Sequence, residues 1–308
     1  MVSSISVVIP VYNAHLTLPD LISQLGEVLP SCAPQYETIL VNDGSRDGSW
    51  VTICSLAKRY PWVQGINLMR NYGQHNALLC GIRAARSEVI VTMDDDLQNP
   101  PGEMQRLLTL LEEGYDVVYG TPSSEQHGLW RVLASQVTKL ALQSAMGVTT
   151  ARRVSAFRAF KTNLRDAFAD YRGPYVSIDV LLTWGASRFT SLPVRQDARQ
   201  VGISNYTLLK LVSHAINMLT GFSTLPLHLA TFIGFFFSLF GISVLLYVLI
   251  RYIIQGDSVP GFPFLASIIA IFSGAQLFAL GILGEYLARI HFRTMDKPAY
   301  SIREQTIT

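Results

Sequence analysis

Glu88-Val89-Ile90-Val91-Thr92-Met93-Asp94-Asp95-Asp96-Leu97-Gln98 joins a short run of β-formers directly to three carboxylates. The run is nearly continuous in apolar and β-branched residues, as a strand covered on both faces requires; a half-exposed strand would alternate. Similar runs lie at 6–9, 37–41, 63–68 and 116–119, with longer helical patterns filling the gaps. Strands alternating with helices indicate an α/β domain with a mostly parallel sheet over residues 1–203, with the 89–93 strand central.

In such open sheets ligands gather at the carboxyl ends of the strands, where the three aspartates sit. In an extended segment Asp94 and Asp96 share one face and Asp95 points away. Asp94, Asp96 and the Gln98 carbonyl offer hard oxygens suited to Mg²⁺ or Mn²⁺, with a substrate phosphate completing the shell. Asn99-Pro100 supplies an N-cap and a first-turn proline for the next helix, so the aspartates are not needed as caps. Two further strands end on the same edge. Asn42-Asp43-Gly44-Ser45 provides a carboxylate and a glycine that allows close backbone approach, and Pro10-Val11-Tyr12-Asn13 provides a ring and an amide to frame a nucleobase.

The chain of 308 residues is 49% hydrophobic and only 15% charged, below the roughly 25% charged residues of soluble domains. Two uncharged runs, 229–250 and 262–284, are each long enough to cross a hydrocarbon core, and together they form a transmembrane hairpin within 226–287. Before them, Leu209, Val212 and Ile216 make the apolar stripe of an interfacial helix within 204–225. The loop between the spans, Gln255 to Gly261, lacks Lys and Arg, whereas Arg289, Arg293, Lys297 and Arg303 follow the second span. Positive-inside bias places both termini and the 288–308 tail in the cytoplasm.

The formal charge of +2 is too scattered for a nucleic-acid face. Cys32, Cys54 and Cys80 form no C-x-x-C pair and suit a reducing compartment. The six histidines show no ligand spacing. Neither G-x-G-x-x-G nor G-x-x-x-x-G-K is present, which disfavours a dehydrogenase or a P-loop kinase.

Taken together these pieces resemble glycosyltransferase family 2 with its Rossmann-like GT-A fold, and within it the polyprenyl-phosphate glycosyltransferases such as the bacterial undecaprenyl-phosphate aminoarabinose and glucosyl transferases. Val7 to Asn13 is similar to the family's opening strand and Asn42-Asp43-Gly44-Ser45 to its D-D-G-S turn. Asp94-Asp95-Asp96-Leu97-Gln98-Asn99-Pro100-Pro101 is similar to its D-x-D-L-Q-x-P-P metal motif. Arg70-Asn71-Tyr72-Gly73-Gln74-His75 and the Gly274 to Arg289 region resemble segments of that subfamily, and of the histidines His75 alone merits interest.

The resemblance implies a UDP-sugar donor held by Pro10, Tyr12, Asn13, Asp43, Asn71, Asp94 and Asp95. It implies undecaprenyl phosphate or a similar lipid as acceptor, a metal on Asp94, Asp96 and Gln98, and a homotetramer. Three departures stand out: Ala14 replaces a glutamate, Asn42 the first acidic residue of D-D-G-S, and Arg152 an aspartate upstream of Ser155-Ala156-Phe157-Arg158, which matches S-G-F-R.

A hydroxyl acceptor would need a carboxylate base. A phosphate monoester has a second pKa of about 6 and is already an oxyanion at neutral pH. Arg152, Arg153 and Arg158 can hold it through forked hydrogen bonds, with Ser155 nearby and Arg70 and Arg131 as weaker candidates. Gly202-Ile203-Ser204-Asn205-Tyr206 resembles a G-x-S-x-Y junction, where Ser204, Tyr206 and Lys210 meet the lipid phosphate. Asp94, Asp96 and Arg158 are the expected catalytic residues of an inverting, metal-dependent transfer. Two other readings stay open: transfer to a glycolipid or polysaccharide hydroxyl, and a catalytically weak nucleotide-sugar-binding membrane scaffold.

Overall fold

Strand β1 (Ser4–Val11) pairs in parallel with both β2 (Gln35–Asn42) and β4 (Val89–Thr92), and this double pairing organises the sheet. The structure, a computed structural model, describes residues 2–122, 154–173, 176–197, 225–255 and 261–306. The other strands are β3 (Val63–Leu68), β5 (Val117–Pro122), β6 (Arg158–Lys161), β7 (Phe189–Val194) and β8 (Ile302–Gln305), and the sheet order is β7-β5-β6-β4-β1-β2-β3-β8. From β1 the chain builds outward through β2 and β3, then crosses back to place β4 on the other side of β1. That reversal opens a crevice between the carboxyl ends of β1 and β4.

The first five strands fall close to their expected positions. Most of the strand pairings are parallel, as expected, and the sheet is mixed because β6 runs antiparallel to β4 and β5, and β8 runs antiparallel to β3. Alternation along the strands loads both faces. Val7, Ile9 and Val11 of β1 and Val91 of β4 join a core with helices α1 (Leu18–Cys32), α2 (Ser49–Arg59) and α4 (Met104–Glu112). Val8, Ile39, Val41 and Ile90 point the other way, onto α3 (Gln74–Ala84) and α5 (Ile178–Leu182).

Helix α1 forms because Leu18, Leu21, Ile22, Leu25 and Leu29 recur at helical spacing and are all buried, while Pro19 sits in its first turn. Before α4, Pro101–Glu103 forms a 3-10 turn whose cap position is Pro100, with no side-chain cap bond. The expected cap at Asn99 is thus corrected: two successive prolines move the helical start one residue past the position Asn99 would serve.

Two long helices follow, α6 (Leu225–Gln255) and α7 (Phe262–Thr294). Each contains a stretch long and apolar enough to span a membrane, Pro226–Arg251 and Ile271–Thr294. They pack together where Phe237 meets the Phe272 ring edge-on, centroids 5.6 Å apart. Their outward faces carry exposed Phe232, Phe235, Phe236, Leu277 and Phe278, as a lipid-facing hairpin would.

The chain divides into two compact units, Met1–Ala215 with Asp296–Thr308, and Ile216–Met295. The segment expected as a tail from 288 therefore splits. Its first residues finish α7, and Ile302–Gln305 form the edge strand β8 of the sheet. The expected interfacial helix within 204–225 lies outside the described residues up to its last position.

Candidate active site

A cleft of about 280 Å³ opens at the strand reversal, lined by Pro10, Val11, Tyr12, Asp43, Asn71, Gly73, Gln74, Asp94, Asp95 and Asp96. Its walls are the carboxyl ends of β1, β2 and β4 and the loop from β3 to α3.

The acidic wall is bonded in place residue by residue. Asp94 accepts a hydrogen bond from the Gln74 side-chain amide at 2.7 Å. Asp95 accepts from the Tyr12 backbone N–H at 3.1 Å, tying the end of β4 to the end of β1. Asp96 accepts from the Gln98 N–H at 3.1 Å, within a turn in which Leu97 takes a positive φ of 60°. Asp95 does not point away as the alternation rule requires, because the regular strand ends at Thr92 and the turn brings all three carboxylates to the cleft. Burial raises the Asp95 carboxyl to about 7; the Tyr12 amide opposes the rise, and the charges of Asp94 and Asp96 reinforce it.

Asp43 forms the facing wall. It is almost fully buried, and its carboxylate accepts from the backbone N–H groups of Tyr72 at 2.7 Å and Gly73 at 2.9 Å. Burial shifts its pKa upward, against the lowering effect of those two amides. The loop can come this close because residue 44 is glycine. Its φ is +66°, and a Cβ there would lie 2.4 Å from the Asn71 nitrogen. Asn42, where the family pattern has an acid, is buried and donates to Asn67 at 2.8 Å.

Pro10, Tyr12, Asp43, Asn71, Asp94 and Asp95 of the expected donor residues all line the cleft. Asn13 is spent locally: its N–H donates to the Ser45 hydroxyl and its side-chain oxygen accepts from the Arg46 N–H, at a φ of 55°. Gln98 is not part of the lining, and its main-chain carbonyl accepts from the Asp197 N–H at 2.8 Å. Gln74 and Gly73 were not singled out from the sequence, although the Arg70 to His75 segment contains both; the signal was a glycine ahead of a helix start.

Arg158 departs furthest from expectation. It is 2% exposed, its guanidinium Nη1 donates to the Asp179 carboxylate and its Nε donates to the Thr92 hydroxyl at 3.1 Å. The Tyr119 hydroxyl donates to the same Asp179 oxygen at 3.1 Å. A guanidinium enclosed in this way braces the last residue of β4 and is not among the residues that line the cleft, where its expected roles in acceptor binding and catalysis would place it. Ser155 is likewise off the cleft, with its hydroxyl accepting from the Phe157 N–H at 3.2 Å. Arg131, Arg152, Arg153, Ser204, Tyr206 and Lys210 lie outside the described residues.

With this geometry in view, residues 6–171 match the family described as glycosyl transferase family 2. The chain belongs to this family. Among the family-2 relatives, the undecaprenyl-phosphate 4-deoxy-4-formamido-L-arabinose transferase of Pseudomonas savastanoi pv. phaseolicola is 34% identical over 304 residues, 97% of this chain and 90% of that protein. The enzyme of the same name from Yersinia enterocolitica is 33% identical over 306 residues, 98% of this chain and 94% of its own. The solved glucosyl-3-phosphoglycerate synthase of Mycobacterium tuberculosis, in complex with Mn²⁺, UDP and phosphoglyceric acid, superposes with a TM-score of 0.50. It is 18% identical and covers 71% of this chain and 76% of its own. That likeness identifies the fold as GT-A. This family-2 chain is a glycosyltransferase.

A divalent cation is implied by the fold family. Among the described residues no three His, Cys, Asp or Glu side chains form a ready-made metal cage. The donor chemistry fits all the same, since Mg²⁺ or Mn²⁺ in nucleotide sites binds one or two carboxylates together with substrate phosphates. Three adjacent carboxylates whose mutual repulsion helps push Asp95 toward neutrality are also a place where added positive charge is favourable.

Proposed function

We propose that this glycosyltransferase moves a sugar from a nucleotide-sugar donor, a UDP-sugar, to undecaprenyl phosphate at the cytoplasmic face of a membrane. The observation that carries the donor half is the cleft itself. Asp43, Tyr12 and Asn71 line it together with Asp94, Asp95 and Asp96; the first three would frame a nucleoside, and the three carboxylates would lie by its diphosphate. The acceptor half is supported by relatives matched over nearly their whole length whose names specify undecaprenyl phosphate, and by two helices suited to a bilayer.

Asp94 and Asp96 would hold Mg²⁺ or Mn²⁺. When bound, the ion neutralises negative charge on the departing diphosphate. Gln74 keeps Asp94 turned into the cleft, and the Asp96 turn fixes the other carboxylate. An oxygen of the lipid phosphate attacks the anomeric carbon as the bond to the diphosphate breaks, and UDP departs with the electron pair. One such displacement inverts the anomeric centre. No base is required of the protein, because the phosphate is already ionised at neutral pH. The protein's task is to position the two substrates in line. Arg152 and Arg153, with Ser204, Tyr206 and Lys210, are the proposed acceptor-phosphate contacts.

The experiment is transfer by purified protein from a radiolabelled UDP-sugar, beginning with the 4-deoxy-4-formamido-L-arabinose named in the relatives, to undecaprenyl phosphate and, in parallel, to undecaprenol. Product on the phosphate alone is expected. Preference for the alcohol would overturn the acceptor assignment and return the reading to hydroxyl transfer.

A further inference from the structure

Strand β8 reaches the sheet only after the chain has passed through α6 and α7, yet it lies against the elements that build the donor cleft. Its register on β3 pairs Asn67 with Glu304 and Leu68 with Ile302, so Arg303 is an extra residue bulged between them. Bulges re-aim side chains, and this one lets the Arg303 guanidinium donate to the Met69 carbonyl at 2.9 Å. The Met69 N–H donates to the Ser301 carbonyl at 2.9 Å. Met69, the first residue after β3, is thus held by the tail through both its backbone groups. Three residues later the same loop presents the Tyr72 and Gly73 amides to Asp43.

A second connection reaches Asp43 from its other side. Glu304 accepts from the Asn67 side-chain amide at 2.8 Å, which turns the Asn67 oxygen toward the buried Asn42 amide, also at 2.8 Å. Asn42 immediately precedes Asp43. Its own side-chain oxygen is buried with no hydrogen-bond partner, so the donation to Asn67 is what fixes this amide.

We infer that the 301–304 segment is a working part of the donor site, in which Arg303 and Glu304 act as positioning residues that set the geometry of Asp43 and the Tyr72-Gly73 amides and so govern affinity for the nucleotide. The inference rests on the reading of the cleft as the UDP site. It also gives Asn42 a role: an aspartate there has no amide to donate to Asn67, so the Glu304-Asn67-Asn42 chain needs the asparagine.

The test uses the full-length protein in detergent with Mg²⁺ and measures UDP binding by calorimetry in wild type, Arg303→Ala, Arg303→Lys, Glu304→Ala and Glu304→Gln. Each alanine variant is expected to bind UDP about five- to tenfold more weakly, the conservative variants to recover most of the loss, and the donor KM to rise with kcat held within about twofold. The melting temperature should stay within about 2 °C of wild type. Wild-type UDP affinity in both alanine variants, or a fall in affinity matched by a comparable fall in melting temperature, overturns the inference. Absence of UDP binding by the wild type overturns the donor reading beneath it.

Discussion

The Arg158 guanidinium and the Asp179 carboxylate form an ion pair almost wholly removed from solvent, 2% and 8% exposed, beneath the end of β4. The Thr92 hydroxyl accepts from Arg158 and donates to the Ala156 carbonyl at 2.7 Å, so Thr92 ties β4 to β6 one residue before Met93 and two before Asp94. Removing one partner strands the other charge in the core. Arg158→Met alone should destabilise the catalytic unit by about 3–5 kcal/mol, whereas Arg158→Met with Asp179→Leu should be far milder. Urea unfolding followed by tryptophan fluorescence measures both. Equal stability of single variant and wild type would show that the pair does not hold the unit together.

Gly44 allows the β3–α3 loop to close on Asp43. In Gly44→Ala the new methyl would meet the backbone at Asn71 and Arg70, 2.4 and 2.5 Å away, in a conformation that disfavours any side chain. A loss of about 1–3 kcal/mol is expected, expressed in UDP affinity because the loop must retreat from Asp43. Calorimetry with UDP checks it, and unchanged affinity would show that the loop is not a wall of the donor site.

At the start of α2, Asp47 makes a separate electrostatic contribution. Burial would raise its carboxyl, but bonds from the Ser49 hydroxyl, the His15 ring and the two backbone amides outweigh that and hold it at about 2, below its ordinary 3.8. A carboxyl depressed in the folded state stabilises above its ordinary value and loses that contribution as pH falls toward 2. The melting temperature should therefore drop between pH 4 and 2 more steeply in wild type than in Asp47→Asn. Identical slopes would remove Asp47 from the acid response.

Five strands, the strand-end location of the site and the two apolar helices were legible in the sequence because each has a periodic or unbroken apolar signature. Three strands were not. Arg158-Ala159-Phe160-Lys161 carries charge at both ends, and Ile302-Arg303-Glu304-Gln305 is exposed throughout, so neither alternates as a half-buried strand would. Such edge and inserted strands exist by pairing with the sheet and have little local preference of their own.

The direction of the Asp95 side chain escaped for a different reason. A two-residue period holds only while the chain stays extended, and here the strand stops at Thr92 and Leu97 turns to positive φ. Arg158 sits within a recognisable motif, but its partner Asp179 lies 21 residues further on, and only the folded sheet shows that the two are buried together.

In the proposed reaction the carboxylates at the end of β4 serve sugar transfer. The most direct test of that role is the rate of transfer from a radiolabelled UDP-sugar to undecaprenyl phosphate by membranes carrying equal amounts of wild-type protein and Asp96→Asn. Transfer by wild type and a fall of about a hundredfold or more in the variant, with insertion unchanged, is the expected result. An Asp96→Asn protein that transfers sugar at the wild-type rate would contradict the account.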